Sequence, residues 1–494
     1  MELIDRAAGF GDRIAVADRS GTSSYAQLLT GSARAAARLL AGSVDLEGER
    51  IAFMVEPSFD YVRIQWGIWR AGGVAVPLCL THPAPELEYV LDTVRPTVAI
   101  SSDRYADLLR PLAESRDIEL LTVDEVDADP VGLPTVDPLR PAMILFTSGT
   151  TGRPKGVVTT HANIEAQIES LVEAWEWAEN DRILLTLPLH HIHGIVNVIC
   201  CALWSGARCD VLPAFDAAEV IDRLSNGDLT LYMAVPTIYH RLIAYLEGAT
   251  DEEVARFRDA VGALRLMVSG SAALPVPVLK RWRELSGHTL LERYGMTEIG
   301  MGLSNSYRGE RVPGSVGLPL PAVEVRLIGD DNESVSDGAA GEIQVRGPAV
   351  FLEYWERPEE TASAFTDDGW FRTGDTGVVD KGRYRILGRT TIDILKTGGE
   401  KVSALEIEEM LLSHEAVSEA AVVGIDDPEW GQRVVAVVVP NGEVTADELR
   451  SWLKTRLAPH KVPKEIHLAD SLPRNAMGKT LKPEVVEMVR GSRD

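Results

Sequence analysis

Thr147-Ser-Gly-Thr-Thr-Gly-Arg-Pro-Lys-Gly156 follows a short apolar run, Ala142 to Phe146, that reads as a buried strand. Gly149, Gly152 and Gly156 allow the backbone to turn tightly and present N–H groups to an anion. Thr147, Ser148, Thr150 and Thr151 add hydroxyl donors, and Lys155 adds a compact positive charge. Such a loop suits a polyphosphate. A flexible Gly/Ser linker fits less well, because linkers seldom carry Pro-Lys directly after a buried strand. The phosphate loop of glycine, four residues and Gly-Lys-Ser/Thr is absent. Lys155 is followed by Gly156 and Val157, so no hydroxyl is placed there to hold magnesium.

Bulk properties agree with a large enzyme. A chain of 494 residues is too long for one core, so two or more domains are expected. Its 74 acidic and 49 basic residues leave a net charge of −25, which disfavours nucleic acid and anionic membranes as partners. No apolar run reaches membrane-spanning length, and the first residues show neither a secretory nor a transit pattern. Cys79, Cys200, Cys201 and Cys209 have no metal-ligand spacing and make no plausible disulfide framework. A cytoplasmic location and a monomer are the expectations.

Helix-like and strand-like stretches alternate from Tyr25 to Leu80: helices at Tyr25–Ala41 and Phe59–Ala71, strands at Arg50–Val55 and Val74–Leu80. That rhythm predicts βα units and largely parallel sheets. Asp124 to Pro141 reads as an exposed connector. After Gly388 the character changes. Helices at Ala404–His414 and Thr445–Leu457, with strands at Ala420–Gly424 and Arg433–Pro440, predict a small α+β domain.

Four further motifs follow the phosphate loop. Tyr294-Gly-Met-Thr-Glu298 comes after an apolar stretch, Thr289 to Leu291, and alone would pass for a helix start with a threonine cap. Asp375 in Thr373-Gly-Asp could be a turn residue, although a carboxylate also suits a vicinal diol. Gly388-Arg389 comes next, and Pro473-Arg-Asn-Ala-Met-Gly-Lys479 lies near the end, where Lys479 alone could be a solvated tail lysine. Taken in this order over residues 147–479, the motifs resemble those of the adenylate-forming enzymes: acyl-CoA synthetases, peptide-synthetase adenylation domains and luciferases.

That resemblance implies an α/β fold: a large N-terminal region of two βα sheets and a β-barrel over residues 1–389, and a small mobile α+β lid over 390–494. It implies that residues 147–155 hold the β and γ phosphates of ATP, with Gly270 also on the nucleotide. Tyr294 would stack on adenine, Thr297 would meet the α-phosphate, Glu298 would hold Mg²⁺, and Asp375 and Arg389 would clamp ribose. Lys479 would be the lysine of adenylation, bridging an attacking carboxylate and an anionic α-phosphate, repulsion that an ammonium relieves most in the transition state. The lid would turn about Arg389 to Asp393 and swing Lys396, Gly398 and Gly399 toward coenzyme A.

Arg293 bears on the acid. The family usually has glycine just before Tyr-Gly, opening a tunnel for apolar or aromatic acids. Arg293 would close that tunnel and place a fork-shaped cation in the pocket, where a second substrate carboxylate is its natural partner. An internal pair with Glu292 is the alternative. Ser271, in Val268-Ser-Gly-Ser-Ala, and His191 and His193, in Pro188-Leu-His-His-Ile-His, are expected to line the same pocket. The histidines have no companion ligands at metal spacing. With Gly287–Met301 and Arg311–Pro321, these stretches resemble malonyl-CoA and methylmalonyl-CoA synthetases, implying a short dicarboxylate substrate. Glu400 departs from the aromatic residue expected of that group, outside the acyl pocket. A general aryl or fatty acyl-CoA ligase would share the motifs but lack Arg293, and a silent nucleotide binder would lack Lys479 or Glu298.

Overall fold

The computed structural model describes residues 1–147, 153–397, 400–428, 430–474 and 480–491. Ser24 starts the helix Tyr25–Leu40 with a capping box to Gln27, and Ala41 ends it in the left-handed region. Its alanine face packs on the helix Phe59–Arg70 so closely that a Cβ at Gly67 would stand 2.6 Å from the Ala35 Cβ. Both helices lie where the sequence pattern expects them.

Among the described residues, four sheets carry the fold. The first runs Leu318–Pro319, Gly300–Ser304, Leu291–Met296, Leu266–Ser269, Leu231–Ala234, Arg182–Leu185, Arg208–Val211, Ile14–Asp18 and Gly21–Ser24. Its six central strands, Leu291–Met296 to Ile14–Asp18, are parallel to one another. The second runs Glu353–Tyr354, Lys155–Thr160, Pro141–Thr147, Val74–Pro77, Arg50–Met54, Val98–Ser101 and Glu119–Thr122, parallel from Pro141–Thr147 onward. One continuous core, with Trp66, Trp69, Trp175 and Trp282 fully buried, joins the two sheets.

The third sheet, expected as a barrel, is four antiparallel strands, Glu324–Ile328, Ala340–Arg346, Phe371–Asp380 and Arg383–Arg389, with a bridge from Gly317 to Tyr384. The fourth belongs to the smaller C-terminal unit, where Val417–Asp427 pairs with Gly431–Pro440 along nearly its whole length. Alternate residues of these strands feed two cores. Val434, Ala436 and Val438 pack under the helices Ala404–Leu412 and Ala446–Lys454, while Val435 and Val437 pack under Lys482–Gly491. The strand at Ala420–Gly424 is thus longer than its apolar stretch suggests, because pairing extends it at both ends. Among the described residues, no helix is long and apolar enough to cross a membrane.

Two anchors flank the connection between the third and fourth sheets. On one side, Arg389 faces Asp375 across the strand pair, and Thr390 N–H donates to the Gly374 carbonyl at 2.9 Å. On the other, Lys482 Nζ lies 2.5 Å from Asp393 Oδ1 and 2.8 Å from Glu408 Oε1, and all three side chains are mostly buried. Burial opposes the Lys482 charge, but Glu408 and Asp393 outweigh it and hold the ammonium above its usual value. Lys482→Met would leave two carboxylates without their cation. Such a loss costs about 3–5 kcal/mol, so hydrogen exchange over residues 400–474 should quicken markedly while the two large sheets stay protected.

Candidate active site

Thr147 and Lys155 are direct partners in an antiparallel strand pair, Pro141–Thr147 against Lys155–Thr160. Ser148, Gly149, Thr150, Thr151 and Gly152 lie outside the described residues. Gly156 differs from the sequence reading: it is a strand residue, and a Cβ there would meet Ile144 Cγ2 at 2.9 Å. Its smallness serves packing rather than a turn. Lys155 Nζ lies 2.7 Å from Glu360 Oε2 and 4.8 Å from the centre of the Tyr354 ring.

Tyr294-Gly-Met lies on the strand Leu291–Met296, and Thr297 and Glu298 form the turn into Gly300–Ser304. The motif is therefore a hairpin and not a helix start. Antiparallel pairing supplies the backbone partners that a helix would otherwise provide. The Tyr294 hydroxyl donates to Asp375 Oδ2 at 2.5 Å, and Asp375 Oδ1 pairs with Arg389 Nε at 2.9 Å. Arg389 also donates to the Thr373 carbonyl at 2.7 Å. Burial, with Asp375 beside it, pushes the Tyr294 phenol well above its usual value, so it remains a neutral donor. Glu298 is 6% exposed and accepts the Tyr354 hydroxyl at 3.0 Å. Burial pushes its carboxyl up, while Tyr354, Arg389 and Lys155 pull the other way. The fold thus gathers Lys155, Tyr294, Glu298, Asp375 and Arg389.

On the opposite face of the same strand, Arg293 is 2% exposed. Its Nη2 reaches Ser271 Oγ at 3.4 Å, and Ser271 Oγ lies 3.2 Å from His193 Nδ1. Ser271 has φ of 68°, a left-handed conformation, and is exposed as a residue while its hydroxyl meets these two side chains. Gly270, expected beside the nucleotide, backs the guanidinium, where a Cβ would stand 2.4 Å from Nε. Arg293 Nε has no hydrogen-bond partner, and no carboxylate among the described residues forms an ion pair with this group. Burial alone pulls the guanidinium down to about 9. Glu292 does not neutralise it. That carboxylate faces away and accepts the Leu274 N–H at 2.9 Å, and burial pushes it up to about 8. Burial also pulls His191 down to about 4 and His193 well below its usual value, so both are neutral near neutral pH. Each keeps a buried Nε2 without a partner.

A buried cation with unsatisfied donors, flanked by a hydroxyl and neutral imidazoles, can receive an anion. The chain matches the AMP-binding enzyme family over residues 3–355 and its C-terminal domain over residues 406–479. The chain belongs to the AMP-binding enzyme family. It is 46% identical to the mitochondrial malonate–CoA ligase of Mus musculus, across 98% of this chain and 90% of that one. The Homo sapiens protein of the same name is 45% identical, across 98% and 91%. ATP-bound MatB from Rhodopseudomonas palustris superposes with a TM-score of 0.91 at 32% identity, covering 99% of this chain and 100% of that one.

In this AMP-binding enzyme, Lys396 is exposed on the strand Ile394–Thr397, and its N–H donates to Gln432 Oε1 at 2.8 Å. Gly398, Gly399 and Lys479 lie outside the described residues. Among the described residues, no group of three or more His, Cys, Asp or Glu could hold a metal ion. The sequence reading missed Tyr354 and Glu360. Tyr354 sits on a strand of two residues, Glu353–Tyr354, and Glu360 on a helix of seven, Pro358–Ala364, both too short for periodicity to reveal.

Glu292 has a pH consequence. Its folded value of about 8 exceeds the ordinary 4.5, so the folded chain binds this proton more tightly than the unfolded one. The stability it contributes is full below 4.5 and is lost as pH rises through about 8. Gln at this position keeps an acceptor for Leu274. Glu292→Gln should therefore flatten the fall in thermal midpoint between about pH 4.5 and about pH 8.

Proposed function

We propose that this AMP-binding enzyme is an ATP-dependent malonate–CoA ligase that works through an acyl-adenylate, with methylmalonate as a close substrate. One observation carries the choice of acid: the Arg293 guanidinium is buried, and among the described residues no carboxylate pairs with it. An arginine so placed calls for an anionic partner, and the distal carboxylate of a short dicarboxylate supplies one. Ser271 and the neutral His193, beside Arg293, would complete the grip on its oxygens, with His191 nearby. The two vertebrate relatives named as malonate–CoA ligases support this reading over nearly the whole chain.

In the first half-reaction, the free carboxylate oxygen bonds to the α-phosphorus of ATP, the bond to the β-phosphate oxygen breaks, and pyrophosphate leaves. Lys155 and the motif Thr147–Lys155 would hold the β and γ phosphates. Asp375 and Arg389 would take the ribose, with Tyr294 against adenine and Thr297 by the α-phosphate. Lys479 would steady the approach of the two anions. The Glu298 carboxylate fits Mg²⁺, being a hard oxygen donor with one partner among the described side chains, Tyr354. When bound, that ion would neutralise phosphate charge. In the second half-reaction, the CoA thiolate bonds to the acyl carbon and AMP leaves with the bonding oxygen. A thiol is already partly ionised near neutral pH, so no strong base is required.

The division at 389/390 belongs to this reading. The segment Arg389 to Asp393 would let the C-terminal unit exchange Lys479 for Lys396, Gly398 and Gly399 between steps. One copy of the chain carries every residue used, so a monomer suffices. The four cysteines are buried and unpaired, as suits a reducing compartment. We place the enzyme in the cytoplasm, although the vertebrate relatives are named mitochondrial.

Arg293→Ala should cut malonate turnover by about 30- to 4,000-fold in kcat/KM, the loss of about 2–5 kcal/mol from a buried charge pair. Any turnover of acetate should suffer much less, and equal losses for both acids would sink the dicarboxylate assignment. Lys479→Ala should abolish formation of malonyl-AMP yet still convert supplied malonyl-AMP and CoA to malonyl-CoA. Equal damage to both half-reactions would require a single fixed site in place of two poses.

A further inference from the structure

The segment 353–361 sits against the mouth of the phosphate hairpin for a topological reason. Glu353 and Tyr354 pair with Val158 and Val157, next to Lys155 on the same strand. The Trp355 N–H donates to the Gly156 carbonyl at 2.8 Å, and the Tyr354 N–H donates to Thr361 Oγ1 at 3.0 Å. These bonds fold the helix Pro358–Ala364 back toward Lys155. Glu360 then lies between two cations, with Lys155 Nζ 2.7 Å from Oε2 and Arg357 Nη1 2.8 Å from Oε1. Tyr354, in the same segment, donates to Glu298. The segment therefore touches two charged groups of the nucleotide site, one of each sign.

We propose that Glu360 is a positioning residue that competes with polyphosphate for Lys155. In the free enzyme its carboxylate holds the ammonium at the hairpin mouth. A triphosphate displaces that carboxylate and leaves it facing like charge. When the α–β bond has broken, Glu360 reclaims Lys155 and hastens the departure of pyrophosphate. The contact also shows in Glu360 itself, since the Lys155 hydrogen bond holds its carboxyl below the ordinary range. Lys155 and Glu360 keep 26% and 33% of their side chains exposed, so the ion pair can open to solvent without a larger rearrangement. The exchange rests on Lys155 being a polyphosphate ligand.

The test is binding of pyrophosphate alone to the full chain, by calorimetry, without acid or CoA. Glu360→Gln should tighten binding by about two- to fivefold, the scale of an exposed ion pair, and the gain should shrink as ionic strength rises. In turnover, the same variant should become more sensitive to inhibition by added pyrophosphate. Glu359→Gln makes the same charge change one residue away on an exposed side chain and should leave both readouts unchanged. Unchanged or weaker binding in Glu360→Gln, or an equal gain in Glu359→Gln, would overturn the exchange. Lys155→Ala separates this from the underlying assignment. If that variant binds pyrophosphate as the natural chain does, Lys155 is no polyphosphate ligand and both readings fall. If it binds more weakly while Glu360→Gln changes nothing, the Glu360 proposal alone is lost.

Discussion

The Arg293 guanidinium is buried, and among the described residues no carboxylate forms an ion pair with it; the arrangement of its neighbours follows from that. An isolated buried charge is strongly unfavourable unless something answers it. Here the answer is incomplete by construction. Ser271, in a left-handed conformation, offers one long contact, Gly270 leaves the room for the fork, and Nε keeps no partner. The nearby acid, Glu292, spends its hydrogen bond on Leu274 instead. The free protein thus holds a cation whose charge is best satisfied by something that binds.

Strand geometry places the two halves of the site back to back. Arg293 and Tyr294 are consecutive on one strand, so their side chains leave opposite faces. Arg293 meets Ser271, and Tyr294 meets Asp375. Register does the rest on the nucleotide side. Asp375 lies opposite Arg389, and Thr147 opposite Lys155, because antiparallel pairing leaves little freedom once each hairpin is closed. The Arg293 group on one face and the Tyr294 group on the other are therefore consecutive along one strand, which fixes their placement relative to each other.

The C-terminal unit is held differently. Its cores are its own, built from alternating valines of one long hairpin, and among the described residues its connection to the large sheets is pinned at both ends. Arg389 and Thr390 stay with the third sheet, while Asp393 is bound to Lys482 of the small unit, which also pairs with Glu408. Between those anchors the Ile392 and Asp393 N–H groups both donate to the Arg389 carbonyl, at 3.1 and 2.7 Å, so the connection is a tight turn.

The family and the candidate residues were legible in the amino-acid order. Periodicity located Tyr25–Leu40, Phe59–Arg70 and the strands between them, since helices and buried strands have distinct apolar repeats. The phosphate motif, Tyr294 to Glu298, Asp375 and Arg389 could be read because their residue types are scarce in combination. Other features needed the folded chain. Tyr294-Gly-Met looks like a helix start until pairing with Gly300–Ser304 makes it a strand, and Gly156 looks like a turn residue until Ile144 crowds it. Whether Arg293 paired with Glu292 depended on which face each side chain took, and the contact of Lys155 with Glu360 joins a strand to a helix about two hundred positions further along the chain. Local sequence encodes which groups a chain can offer. Which of them meet is set by long-range pairing and burial, whose energies belong to the whole fold and not to any one segment.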